Sequence, residues 1–337
     1  MANIDLRNPS KAETDSLYNL YDAGNYSGAE EFCLQLLNGY PESGFVLNML
    51  GVVLNCQSRE SEAINAYKQA IRVEPGYADS YNNLGLIIKK RGNQEEALQR
   101  FKQAVKADPD YVEARNNLGV TLQELDQHEA ALEHLEKATN ISPNVAFIHF
   151  NYAKSLRIEG DLDKALHEYN QAINLKVGYF EAYNNRGTLL EDLHRYEDAK
   201  KSYTSAVQLN PENSLAFSNR GLVEKKLGDY TGAFRDFSKA LELENHRPGL
   251  SDKDLRFRLN VNLGDILLYF KKFSEAIHAY DAALEIQPDS EDVLAFKGNA
   301  VCALGRLEAG LQMKQEGFGI ISFDSKEGVS IKHGPTV

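Results

Sequence analysis

Ser80–Tyr111 reads SYNNLGLIIKKRGNQEEALQRFKQAVKADPDY. Tyr81, Leu84 and Ile88 fall at helical intervals and share one face of a helix. Gly92 follows as a turn residue, because the end of a helix favours a left-handed conformation that glycine adopts freely. Ala97, Phe101 and Ala104 mark the inner face of a second helix. Pro109 ends that helix, since proline lacks an amide donor and restricts the residue before it. The stretch therefore predicts two short antiparallel helices. Residues without bulk at Gly85 and Ala97 let the two backbones approach, and Phe101 fills the space between them.

The same design recurs outward in both directions. Gly51, Gly85, Gly119, Ala153, Gly187 and Gly221 are spaced by 34 residues, and Gly264 follows after 43. Ala29, Ala63, Ala131, Ala165, Ala199, Ala233 and Ala276 repeat the role of Ala97. Tyr67, Leu135, Tyr169, Tyr203, Phe237 and Tyr280 repeat that of Phe101. A fixed period of this length marks an array of helical repeats, which works by presenting a surface to a partner. Placing the small residue at position 8 puts the repeat starts at 10, 44, 78, 112, 146, 180, 214, 257 and 291.

With Tyr81, Leu84, Gly85, Gly92, Ala97, Phe101, Ala104 and Pro109 in register, the pattern resembles the tetratricopeptide repeat (TPR) family over roughly residues 10–316. The resemblance implies an all-α, right-handed superhelical solenoid of αα-hairpins. The expected organisation is an N-terminal extension at 1–9 and eight repeats over 10–290, with an insertion near 248–256. A degenerate ninth repeat with capping helices follows at 291–316, and a tail at 317–337. Within the insertion, Pro248-Gly249 breaks the helix and Ser251-x-x-Asp254 reads as a capping box. In the tail, β-prone residues flank Asp324–Gly328, which suits a hairpin; disorder and the stump of a further domain are the alternatives.

Composition narrows the function. The chain has 337 residues, 42% hydrophobic and 26% charged, enough for a long core and a polar exterior. A net charge of −12 argues against a general nucleic-acid surface, which needs clustered cations. No apolar run is long enough to span a membrane, and the N-terminus lacks a secretory signal. Cys33, Cys56 and Cys302 form no CxxC pair, which fits reduced thiols and a cytoplasmic setting. No HExxH or phosphate-binding glycine loop occurs. The expectation is a protein with no catalytic residues, no cofactor and no metal. His149, at position 4, reads as a core histidine, and Glu224 stands at position 11 where an apolar residue is expected.

In the TPR family, positions 2, 5, 6, 9, 12 and 13 of the first helix tend to face a concave groove. Position 6 is Asn83, Asn117, Asn151, Asn185, Asn219 and Asn262 in six repeats. An asparagine carries both donor and acceptor, so a file of them is able to grip the backbone of an extended peptide. The file resembles the asparagine ladder in the superhelical repeat region of O-linked N-acetylglucosamine transferases. The competing reading is hydrogen bonding within the array. Repeat 5 adds Phe147, Phe150, Lys154 and Arg157 at positions 2, 5, 9 and 12, aromatic and cationic types common at binding hot spots. Lys89, Lys90, Lys225 and Lys226 give the groove a modest cationic bias, which Glu191 and Asp192 oppose. No repeat has the position-5 lysine of a chaperone-binding carboxylate clamp.

The function expected is a protein-interaction scaffold that binds a peptide or a disordered segment. The alternative is the substrate-recognition region of a larger enzyme, such as a protein glycosyltransferase. Self-association through the terminal repeats is a third, weaker reading.

Overall fold

The computed structural model describes residues 8–247, 251–318, 321–324 and 328–331, with side chains described as far as residue 316. It divides into two compact units, Met1–Lys176 and Val177–Val337. The first holds five helix pairs: α1 (Lys11–Asp22) with α2 (Tyr26–Gly39), α3 (Gly44–Cys56) with α4 (Glu60–Val73), α5 (Ala78–Lys90) with α6 (Gln94–Ala107), α7 (Val112–Glu124) with α8 (His128–Ile141), and α9 (Ala146–Glu159) with α10 (Leu162–Leu175). The second holds four: α11 (Phe180–Asp192) with α12 (Tyr196–Leu209), α13 (Ser214–Lys226) with α14 (Tyr230–Asn245), α15 (Lys253–Tyr269) with α16 (Phe273–Leu284), and α17 (Glu291–Ala303) with α18 (Leu307–Phe318). The consecutive αα-hairpins are those the period predicts.

Steric contact explains the period. A Cβ built on Gly85 would lie 2.7 Å from Phe101 Cε1, and one on Gly187 would lie 2.6 Å from Tyr203 Cε1. Gly221 meets Phe237 in the same way at 2.8 Å. The rings of Tyr67, Phe101, Tyr203 and Phe237 are fully buried, so each of these pairs closes around an aromatic with a bare backbone opposite it, whereas in repeat 5 the equally buried Tyr169 is accommodated with Ala153 at the glycine position. In the last pair a glycine replaces the alanine of the second helix. A Cβ on Gly298 would lie 2.7 Å from the Gly310 carbonyl oxygen, so these two helices meet through backbone.

α16 ends four residues before Pro288, whereas α2, α4, α6, α8 and α12 each stop two residues before a proline. The residue in between is extended: Glu74 at φ −136°, Asp108 at −132° and Asn210 at −137°. α10 stops at the same register although Val177 stands where the proline would be, with Lys176 at φ −125°. Proline reinforces the stop and is not required for it.

The insertion is held by one carboxylate. Glu244, buried in the last turn of α14, accepts from the Ser214 hydroxyl at 2.5 Å and from the Asp252 amide at 2.8 Å. α15 is capped by Asp252, whose carboxylate accepts from the Leu255 amide at 3.0 Å. The capping residue is therefore Asp252 and not Ser251: the helix begins one residue later than the capping-box pattern implies, and Leu255 supplies the amide. Pro248 and Gly249 lie outside the described residues, as do residues 1–7 of the expected N-terminal extension. In the tail, β1 (Ile321–Asp324) pairs antiparallel with β2 (Gly328–Ile331), Ile321 opposite Ile331 and Asp324 opposite Gly328. The residues joining the strands lie outside the described ones.

Two repeats carry charge inside. His149 donates through one ring nitrogen to the Pro143 carbonyl at 2.9 Å, and the other lies 2.5 Å from the Glu168 carboxylate. Two acceptors on one ring favour the imidazolium, and the Glu168 bond raises the His149 pKa against the opposing effect of burial. Glu224 is buried beside Lys200 at 2.9 Å, with its second oxygen unpartnered among the described residues. Burial raises its pKa above the usual carboxylate range. Arg220 forms a bidentate pair with buried Asp236 at 2.6 and 2.8 Å in the same repeat. An apolar position 11 is thus replaced by an ionic cluster between α12 and α14.

Candidate functional site

The position-6 asparagines lie on the first helix of each pair, half-buried along its exposed face. In four repeats the side chain does the same thing. Asn83 Nδ2 donates to Asn48 Oδ1 at 3.1 Å, and Asn117 to Asn82 at 2.8 Å. Asn151 donates to Asn116 at 2.8 Å, and Asn219 to Asn184 at 3.2 Å. Each acceptor is a position-5 asparagine of the preceding repeat. Asn48, Asn82 and Asn116 are buried, so the bond satisfies a polar group that water does not reach. Four members of the file thus form amide pairs that tie neighbouring first helices together.

This bond fixes how each amide points. A carboxamide has two N–H donors and an oxygen with two lone pairs. One N–H is engaged with the neighbour, which leaves one donor and the carbonyl oxygen in a constrained orientation. Asn185 differs, since its side chain makes no hydrogen bond among the described residues. Asn262 differs again: it donates to the Arg258 carbonyl at 2.9 Å and accepts from Lys225 Nζ at 3.1 Å.

Repeat 5 is mixed. Phe147 is 38% exposed, enough to meet a ligand. Phe150 packs edge-on against buried Tyr169 with centroids 6.0 Å apart, and Lys154 Nζ sits 5.9 Å from the Phe150 ring. Lys154 and Arg157 are half-buried. Phe150 is thus partly a packing residue, while Phe147 is the more available aromatic.

The expected cationic bias is largely neutralised. Lys89 pairs with Glu124 at 2.9 Å and Lys90 with Glu60 at 2.6 Å. Lys225 pairs with Asp265 at 2.8 Å and Lys226 with Glu191 at 3.0 Å. The partners lie 30 to 40 residues away in sequence, in the adjoining repeat. Sequence reasoning also missed the position-5 asparagines. Their signal was present, since Asn48, Asn82 and Asn116 follow the same 34-residue spacing.

Among the described residues no cluster of His, Cys, Asp or Glu is arranged to hold a metal ion, and no helix is long and apolar enough to cross a membrane. Burial pushes the Cys33 thiol up to about 12, far from a reactive thiolate.

Comparison with known proteins agrees with this architecture. Models of the tetratricopeptide repeat match residues 57–92, 86–126, 110–177, 180–213 and 257–290. No curated protein matches the chain. Among solved structures, the C-terminal part of a TPR repeat-containing protein from Cytophaga hutchinsonii superposes with a TM-score of 0.58 at 13% identity, covering 73% of this chain and 97% of its own. PilF of Pseudomonas aeruginosa gives 0.51 at 24% identity, covering 60% and 88%. YrrB, described as a TPR protein with an unusual peptide-binding site, gives 0.48 at 22% identity, covering 55% and 95%. At these identities the first two structures speak to the fold alone. The repeat models, with the glycine–aromatic contacts and the paired helices, establish that the chain belongs to the tetratricopeptide repeat family, whose members serve protein–protein interaction.

Proposed function

We propose that this protein is a non-catalytic scaffold that holds an extended peptide or disordered segment along the first helices, through the position-6 asparagines. The observation that carries the reading is the shared amide geometry. Four of these asparagines are oriented by the same bond to the preceding repeat. Each keeps a donor and an acceptor on a half-exposed face, where ordering is already complete before a ligand arrives. Contacts of this kind address the backbone of a bound chain and are indifferent to its sequence. Phe147, Phe150, Lys154 and Arg157 would then supply local preference.

The experiment is selection of displayed random peptides against the full chain, followed by calorimetry on the winners. Asn185→Ala is the informative variant, because its amide supports no neighbour among the described residues. It should weaken several unrelated peptides by a similar factor while the melting temperature is unchanged. Asn151→Ala should weaken them too, and it also strands the buried Asn116 oxygen, at a stability cost of about 1–3 kcal/mol. Peptides that bind Asn185→Ala and the parent equally well would show that the asparagine file is structural only.

A further inference from the structure

The asparagine pairs stop before repeat 9, and an opening takes their place. Position 5 of repeat 8 is Val261 and position 6 of repeat 9 is Phe296, where other repeats put the two asparagines. These side chains, with Phe257 and Val293, line a cavity of about 190 Å³ between α15 and α17. An apolar cavity of roughly 150 Å³ accommodates a benzene ring, so this one has room for a single aromatic or branched aliphatic side chain.

The rest of the lining is polar: Arg258, Asn262, Ser290 and Asp292. Two of these groups have other duties. Asn262 is held by Lys225 and the Arg258 carbonyl. Asp292 lies in the first turn of α17, where a carboxylate complements the helix dipole. Arg258 is exposed, and its guanidinium has no hydrogen-bond or ion-pair partner among the described residues. A guanidinium lining an apolar cavity is matched by a carboxylate carried beside an apolar group.

We infer that the cavity seats a bulky apolar side chain of an extended peptide whose adjacent residue is acidic, with Arg258 pairing the acid. The inference rests on the peptide-scaffold reading only in taking the ligand to be an extended chain. It gives the groove a fixed anchor point, which a file of backbone-directed amides lacks.

The test titrates the acetylated, amidated hexapeptide Gly-Ser-Asp-Phe-Ser-Gly into the full chain and follows two sets of NMR signals. One set is the methyl groups of Val261 and Val293; the other is the side-chain amides of Asn185 and Asn219. Both valines should shift on saturation. Replacing the peptide's Phe by Ala should weaken binding at least about tenfold, since burying an aromatic side chain is worth more than one decade of affinity. Replacing its Asp by Asn should weaken binding about two- to fivefold at low salt, the scale of an exposed ion pair. Arg258→Ala should erase the Asp-versus-Asn difference and keep the dependence on Phe. Phe296→Asn, with its helicity checked by circular dichroism, should abolish the valine shifts. Equal binding of the Phe and Ala peptides overturns the inference. Movement of Asn185 and Asn219 without Val261 and Val293 overturns it while leaving the scaffold reading standing. No movement of any signal at millimolar peptide overturns the inference and counts against the scaffold reading as well.

Discussion

In the first eight repeats the turn between the two helices of a pair is built in two ways, and repeat 9 mixes them, with Gly305 at φ 83° followed by Arg306. In repeats 1, 3, 5 and 7 the left-handed residue is glycine: Gly24, Gly92, Gly160 and Gly228, with φ between 70° and 86°. The next residue is Asn25, Asn93, Asp161 or Asp229, and its side chain caps the second helix by accepting from the amide three residues on. In repeats 2, 4, 6 and 8 the left-handed residue is Ser58, Asp126, His194 or Lys271, with φ between 55° and 62°. The next residue is then Arg59, Gln127, Arg195 or Lys272, and no side chain caps the helix. The backbone path is common to all the repeats; the chemistry that reaches it alternates. A side-chain-bearing residue in this conformation costs roughly 1–2 kcal/mol, and a missing cap about 1 kcal/mol. Three even turns offset part of that by an ion pair across the first turn: Arg59 with Glu62 at 2.7 Å, Arg195 with Asp198 at 2.8 Å and Lys272 with Glu275 at 3.3 Å.

The comparison is open to direct attack by urea denaturation, with amide hydrogen exchange locating the effect. The largest change is expected from Gly160→Val, which forces a β-branched residue to φ 86° and should cost about 2 kcal/mol. A cost near zero would mean that the turn relaxes freely and that the two classes do not differ. Converting an even turn to the odd type should go the other way. Lys271→Gly combined with Lys272→Asp is expected to stabilise by about 1–2 kcal/mol, since the exposed ion pair it removes contributes little. Asn93→Ala should then lose about 1 kcal/mol with its cap, whereas Gln127→Ala should change stability by less than about 0.5 kcal/mol. Equal losses at the two sites would erase the distinction. The smallest effect is expected at Asp126→Gly, a gain of a few tenths of a kcal/mol, because aspartate tolerates the left-handed region better than most residues.

The architecture was legible because steric closure writes itself into residue size. Gly85 and Phe101 are forced on each other, so their spacing survives in every copy that has the contact. The even turns were not legible in the same way. Their geometry constrains φ, and Ser58, His194 and Lys271 meet that constraint without advertising it. The candidate site shows the same divide. Asn83 and its counterparts stood out by repetition, but the direction of their bonds depends on position-5 partners one repeat earlier. The charge of the groove has the same dependence. Lys89 and Lys226 give a modest cationic bias along the chain, which Glu191 was already expected to oppose, but the pairing of each lysine, with Glu124 and Glu191, comes from neighbouring helices. Glu224 was noticed as an exception, yet the Lys200 that accompanies it comes from the preceding repeat.

Glu244 gives the array a practical property. By gripping Ser214 at the start of α13 and the Asp252 amide at the start of α15, it sets where the next helix pair begins, whatever the chain does in between. The docking of repeat 8 is thereby decoupled from the length of the segment that leads to it. For an engineer this is a grafting port: a foreign loop or small domain inserted after His246 would emerge from the array without disturbing the register of the repeats on either side.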